Sequence, residues 1–427
     1  MTAILSKEIA NAIVDPNTYA DDGRLHSILT DIRNGTPVAL AEPDGFDPFW
    51  VVSRYDDVRQ VSLNNTLFAS GLKQLSLTSK IELAKLRAMG TELPVLAKTL
   101  ISMGGDTHRE YRFLTQAWFQ PASLRQRADQ ITTAAKEFVD KMAGMGGYVD
   151  FAPDIAFVYP LHIIMGILGV PREDEPGILN WTKQLLASDD PEMNRSGASG
   201  ANSEEERLRA RFEVFSEFIA YLEALRQSRV GERQEGDLAS IIANAVISNA
   251  PISPEMAVGY YLIVATAGHD TTAASTACAM WALTQDRALL PKLKAHPDLI
   301  PGLVEESVRW ATPVKHFLRT ATSSTQLRGQ QIAKDDLLML SYSSANRDEE
   351  KFDRPFEFDV ERKLGQIAFG YGAHICLGQH LARLEMTTFW ETLIPRLKSV
   401  EAAGPARLIV SNLSSGLKTL PIRFEFD

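Results

Sequence analysis

Apolar positions along this chain recur mostly at three- and four-residue steps, the spacing of helices that bury one face. The longest such stretch is 253–285. Ser253 is placed to cap it, Pro254 takes the first helical position, and Glu255 follows. Its apolar residues lie on most sides, which predicts one long helix running through the interior. Helices are also predicted in the arm 1–35, over 55–63 and 107–119, twice within 122–170, and over 172–188, 204–229 and 300–310. The second helix of 122–170 carries Pro160, Leu161, Ile163, Ile164 and Met165, too apolar for a surface helix. Short β-prone runs at 37–41, 49–53, 315–321 and 337–342 predict strands, with turns at 42–47 and at Arg328-Gly329. Two stretches lack a period. Segment 70–103 is broken by Gly71, Gly90 and Pro94 and is expected to be irregular with one short helix. Segment 188–203, rich in Ser, Asp, Gly and Asn, is expected to be a mobile loop. No internal repeat is present.

Composition narrows the function classes. The chain has 427 residues, 45% hydrophobic and 23% charged, an ordinary globular balance. A net charge of −10 argues against nucleic acid as a partner. Two cysteines in this length do not make a disulfide framework and fit a reducing, cytoplasmic setting. Residues 1–16 carry Lys7, Glu8 and Asp15 without a long apolar core, so neither a secretory signal nor a membrane anchor is expected. The most apolar run, 256–268, is too short to span a bilayer.

Candidate chemistry concentrates in two places. The first is Phe369-Gly-Tyr-Gly-Ala-His-Ile-Cys-Leu-Gly, where Gly370 and Gly372 suit a tight turn and a helical pattern begins after Cys376. Free N–H groups near Leu377, Gly378 and Gln379 are expected to lower the thiol pKa, which suits a thiolate held against a metal. A buried structural cysteine, a zinc site with His374 and His380, and a nucleophilic cysteine are the alternatives. The second place is Ala267-Gly-His-Asp-Thr-Thr in the middle of the apolar helix. A carboxylate and a hydroxyl there need a reason. One is a kink with a back-bonded threonine. The other is a proton relay in which Gly268 leaves room for a cofactor, Thr271 hydrogen-bonds a bound oxygen species or water, and Asp270 leads to solvent. His108 and Arg112, four apart, share a helix face, as do Glu306 and Arg309, three apart.

The Phe-Gly-x-Gly-x-His-x-Cys-x-Gly run resembles the haem-binding loop of the cytochrome P450 superfamily, soluble bacterial type. The Ala-Gly-x-Asp-Thr and Glu-x-x-Arg runs match the same family in the same order. The resemblance implies a mostly α fold with a smaller β-rich part, haem lying between the long central helix and the cysteine loop and its helix. It implies one domain over 1–427, β-rich roughly at 36–70, 311–345 and 403–427. Cys376 is then the thiolate ligand of heme b iron, with Phe369 beside it. His108, Arg112, Arg319 and His374 would meet the propionates, and Asp270 and Thr271 would deliver protons. Glu306 and Arg309 would be a structural pair. The family's usual third arginine is replaced by glutamate in Pro355-Phe-Glu-Phe, with Arg362 the substitute. Val314, Phe317, Ala267 and Leu413 are the expected substrate walls. Segment 70–103 would roof the pocket, and 188–203 with its flanking helices would form a lid.

The implied activity is insertion of one oxygen atom of O2 into a C–H bond of a small hydrophobic cyclic molecule. Runs such as Trp118-Phe-Gln-Pro-Ala-Ser and Ser344-Ala-Asn-Arg-Asp-Glu-Glu are similar to those of the terpineol-oxidising bacterial monooxygenase and its relatives. That favours a monoterpenoid, with an aromatic hydrocarbon as the alternative. A peroxide-driven peroxygenase and a haem-based sensor are the other classes, and Asp270-Thr271 argues against both. Electrons are expected from a [2Fe-2S] ferredoxin served by an FAD-containing reductase, docking on a monomer near Arg109, Arg125 and Arg383.

Overall fold

The computed structural model describes residues 2–88, 97–194, 203–231, 237–363 and 365–427. Two β-prone runs from each half of the chain meet in one sheet, ordered Val38–Ala41, Phe49–Val52, Leu337–Ser341, His316–Ala321 and Phe68–Ala69. Leu337–Ser341 runs parallel to Phe49–Val52, and the other pairs are antiparallel. Phe49–Val52 and Leu337–Ser341 are buried at every position, which is why they read as continuous apolar runs rather than alternating ones.

The β-rich part extends beyond the expected boundaries. Pro421–Phe426 pairs with Leu397–Ala402, which starts before residue 403, and with Tyr148–Asp150, inside a span read as helical. Three residues are too few for a period to show, so that strand was invisible to pattern. A further short hairpin, Val246–Ile247 with Ala250–Pro251, also lies in the helical part.

The central helix is not continuous. Ser253 caps its first piece by accepting the N–H of Met256, but that piece ends at Ala267 and a second runs from Asp270 to Gln285. His269, at φ −123 and ψ −45, carries the break. The exposed carbonyls there are taken by side chains: His269 Nδ1 donates to Ala265 O at 2.8 Å and Thr271 Oγ1 to Ala267 O at 3.1 Å. Gly268 allows the close approach of helix Val158–Leu168, since an added Cβ would lie 2.6 Å from Ile164 Cγ1. Its missing side chain makes room for another helix, while the residue also lines the central cavity.

Positions 89–96 of the expected roof and 195–202 of the expected lid lie outside the described residues. The part of the expected mobile loop that is described is pinned. Asp190 is fully buried and accepts from Lys418 Nζ at 2.9 Å. Helix Glu204–Gln227 is tied to helix Lys80–Ala88 by Arg211 and Glu82 at 2.8 Å.

Helix Ile300–Ala311 holds the Glu306–Arg309 pair, fully buried, with Arg309 Nη2 2.6 Å from Glu306 Oε1. Arg362 takes the third place, its Nε 3.1 Å from Glu306 Oε2. Glu357 stays at the surface with Arg354. Among the described residues no helix is long and apolar enough to cross a membrane.

Candidate active site

One cavity is bounded by the helix break on one side and the 369–378 loop on the other. Gly370 and Gly372 both hold φ +71. At Gly372 an added Cβ would sit 2.4 Å from Ser62 O, so the loop is pressed onto helix Tyr55–Leu63. Cys376 donates its N–H to Phe369 O at 2.8 Å, which closes the loop and sets the sulfur at the cavity wall. Helix Gln379–Leu393 begins just beyond, at the Gly378 cap.

The thiol does not behave as the pattern suggested. Burial pushes its pKa up, and the Gly378 and Gln379 N–H groups with Arg112 and Arg383 only partly oppose that. Helix-start N–H groups only partly offset that burial, and a metal bond to the sulfur would be needed to favour the thiolate. Phe369 lines the same wall, with the Arg383 guanidinium 4.5 Å above its ring.

Four basic side chains converge on one part of the cavity: His108, Arg112, Arg319 and His374. The two imidazoles lie with centroids 4.0 Å apart, tilted by 30°. Burial and the two arginines lower the pKa of His108 to about 4; burial, Arg319, His108 and Arg112 lower that of His374 to about 3. Among the described residues His108 Nε2 has no hydrogen-bond partner. Arg112 bonds the Ile375 carbonyl at 2.8 Å and Arg319 the Leu318 carbonyl at 2.9 Å, and neither reaches a carboxylate of the described residues. This is a preformed anion-binding corner.

Across the cavity, Ala267, Gly268, Thr271, Val314 and Phe317 share the wall. Leu413 does not. It lines a second, outer space that opens between the lid helices and the N-terminal arm. Asp270 is also absent from the central wall. Its carboxylate lies on the far side of the helix, in a small pocket with Lys183, Ser414 and Ser415.

Four site features escaped the sequence reading. Thr115 and Tyr260 hydroxyls are 2.5 Å apart at the edge of the basic corner. Thr272 and Ser275 put further hydroxyls on the central wall. His269 is fully buried between Ala265, Thr182 and Asp270. Glu385 is 1% exposed, lines the cavity, and neither carboxyl oxygen meets hydrogen-bond geometry. Its spacing gave a signal, since Leu381 and Phe389, four residues either side, mark that face as buried.

These features fit a flat macrocycle carrying iron and two carboxylates. One sulfur faces the slot, apolar walls cover both sides, and basic side chains gather at one edge, with His108 Nε2 unpartnered among the described residues. Known proteins agree. The cytochrome P450 family model matches residues 295–424. The chain is 40% identical over 423 residues to cytochrome P450-terp of a Pseudomonas species, covering 99% of this chain and 98% of that protein. It is 29% identical to linalool 8-monooxygenase of Pseudomonas putida over 93% of this chain and 95% of that one. Among solved structures, CYP108D1 of Novosphingobium aromaticivorans superposes with a TM-score of 0.90 at 38% identity, covering 100% of both chains. CYP268A2 of Mycobacterium marinum, in complex with pseudoionone, gives 0.86 at 28% identity over 96% of this chain and 97% of that one. With the cysteine loop, the basic corner and the broken helix in family order, the chain belongs to the cytochrome P450 family, the monooxygenases built on cysteine-ligated heme b.

Proposed function

We propose that this enzyme hydroxylates a small cyclic hydrocarbon or monoterpenoid, with Cys376 as the iron ligand. The single observation that carries the reading is the cavity wall opposite the cysteine. Leu75, Ile101, Ile263, Ala267, Val314 and Phe317 form it, and the nearby Ser70 hydroxyl is spent on Ile101 O at 2.9 Å. An apolar substrate is favoured there, held by shape rather than by a polar anchor. The names of two relatives, linalool 8-monooxygenase and the complex with pseudoionone, support the terpenoid class.

When bound, the haem supplies O2 binding and oxygen transfer; one oxygen atom enters the substrate and the other leaves as water, with uptake of two electrons and two protons. The chain's own residues do the rest. Cys376 holds the metal and Phe369 shields the sulfur. His108, Arg112, Arg319 and His374 offset the propionate charge, and His108 and His374 gain protons as they do so. Thr271 presents a hydroxyl to the reacting side of the cavity, and Asp270 connects it to solvent. The Glu306–Arg309–Arg362 cluster holds the loop by a traceable path: Arg309 donates to Asn346 O at 2.8 Å, and Asn346 Oδ1 accepts from Ile367 N at 2.9 Å. Electrons come from a redox partner, which we take to be a [2Fe-2S] ferredoxin with an FAD-containing reductase, in the cytoplasm.

The test is a panel of cyclic monoterpenoids and aromatic hydrocarbons scored by the Soret shift on binding, then by product formed with ferredoxin and reductase. Monoterpenoids are expected to shift the band and yield hydroxylated product. A shift confined to aromatics would move the substrate class. Turnover with peroxide but not with ferredoxin would overturn the monooxygenase reading.

A further inference from the structure

Leu75 lines both the central cavity and the outer space, so its position sets the width between them. It belongs to no helix or strand. Beside it strand His316–Ala321 runs the opposite way. Leu318 N donates to Leu75 O at 2.8 Å, and two residues along each segment Leu77 N meets His316. There the acceptor is a ring and not a strand carbonyl: Leu77 N lies 3.1 Å from His316 Nε2. Leu77 N–H has no other acceptor among the described residues. Side chains alternate along a strand. Phe317 and Arg319 face the central cavity, whereas His316 and Leu318 line neither cavity. His316 is fully buried on the far side, and Leu318 shares an apolar cluster there with Leu77.

A backbone N–H only donates, so Nε2 is the bare nitrogen and the ring proton sits on Nδ1. A proton on Nε2 would set two donors against each other in a buried site. Burial lowers the ring pKa to about 4, with the Asn412 backbone opposing, so the ring is neutral near pH 7 and Nε2 remains an acceptor. The arrangement leaves Nδ1 without a partner of standard geometry among the described residues, a cost borne for the Leu77 bond. We infer that His316 is a positioning residue that sets substrate size: its ring holds Leu77, and through it Leu75, at the width that suits a small cyclic molecule. This rests on the substrate class proposed above and sharpens it.

Two variants separate the tether from general packing. In His316→Gln the side-chain carbonyl reaches the place of Nε2 and still accepts from Leu77. In His316→Leu the acceptor is gone and the Leu77 N–H is left buried and unpaired. Should His316→Leu not hold haem, His316→Asn takes its place, because its amide stops short of Leu77. Soret titrations on the holoenzyme use limonene and, as a wider apolar probe, pyrene. Loss of the tether is expected to weaken limonene about fivefold while pyrene binds as well or better, and His316→Gln is expected to restore the parent ratio. A parent-like ratio without the tether, or equal weakening of both probes, would overturn the proposal. The second readout is the tautomer. In the reduced carbon monoxide form, which is diamagnetic, ¹⁵N ring resonances assigned by their loss in His316→Gln should show a protonated Nδ1 and a bare Nε2. A proton on Nε2 would overturn the proposal as well. If the parent enzyme binds aromatic hydrocarbons and no monoterpenoid, the substrate class fails by itself. The tether is then decided by the tautomer and by the ratio of naphthalene to pyrene.

Discussion

Thr271 spends its hydroxyl proton on Ala267 O, yet its oxygen still faces the cavity. Back-bonding and relay, weighed as alternatives on the sequence, therefore coexist in one side chain. Thr271→Ala removes the hydroxyl without leaving a buried group unsatisfied except one carbonyl. It should keep haem and substrate affinity, lower product formation about a hundredfold, and divert electrons to peroxide. Peroxide and product measured against nicotinamide consumed check this. Glu385 yields a second residue-level prediction. Burial raises its carboxyl pKa well above the ordinary value, and only Thr272 opposes. The native state then binds more protons than the unfolded chain once pH exceeds the ordinary value. Stability falls as pH rises toward the raised value, by up to about 1.4 kcal/mol per pH unit. Glu385→Gln removes the ionisable group, so its melting temperature should gain on the parent enzyme steadily between pH 5 and 8. Parallel melts across that range decide it. Residue type and spacing singled out Cys376 and Thr271 as candidates, the family resemblance added the four basic residues, and the structure brings all six to one cavity. Residue type and spacing did not show which side of a helix Asp270 leaves by, because that depends on the 268–269 break.

At the scale of elements, the long apolar helix was legible and a kink in it was one of two readings, but a full break into two helices was not legible. Ala-Gly-His-Asp is compatible with an unbroken helix by propensity, and the break comes from tertiary packing against Ile164 and from ring and hydroxyl capture of two carbonyls. Tyr148–Asp150 and Leu397–Ala402 were missed as edge strands on either side of Pro421–Phe426, the first of them separated from that partner by most of the chain. Leu413 was placed on the inner wall because it follows a strand-like end, but the backbone bond from Lys315 N to Leu413 O at 2.8 Å sets its side chain in the outer space. The cysteine loop offers a clean element-level contrast. Gly372 has φ +71 and backbone in the way of a Cβ, whereas Gly378 has nothing within 4 Å. Gly372→Ala should cost more than about 1 kcal/mol and release the loop from helix Tyr55–Leu63. Gly378→Ala should fold and hold haem as the parent does. The Soret-to-protein absorbance ratio, with thermal melts, separates the two; equal ratios would count against a loop fixed by this contact.

At the scale of the whole molecule, a chain of net charge −10 must offer a local docking surface to the ferredoxin proposed above. Long-range repulsion is screened within about 10 Å at ordinary salt, so what matters is the local surface near the cysteine loop. Arg383 is spoken for there, ion-paired with Glu305 and lying over Phe369. Arg125 is exposed. Arg109 is 80% exposed, on the helix whose Arg112 bonds the Ile375 carbonyl next to Cys376. Its contact with Asp106 at 2.8 Å is between two exposed groups and is worth little, so a partner carboxylate can replace it. Phe113, one turn on and 78% exposed, adds an apolar contact beside it. Arg109→Glu should therefore raise the ferredoxin KM roughly fivefold, equivalent to about 1 kcal/mol, and leave kcat at saturating ferredoxin unchanged. Reduction by dithionite, which needs no docking, should not change. The fivefold difference should shrink as salt is raised from 50 to about 300 mM, because the charge acts through solvent. An unaltered KM at low salt would place the electron donor elsewhere. A fall in the dithionite-driven reaction would instead mean that Arg109 supports the fold of the basic corner.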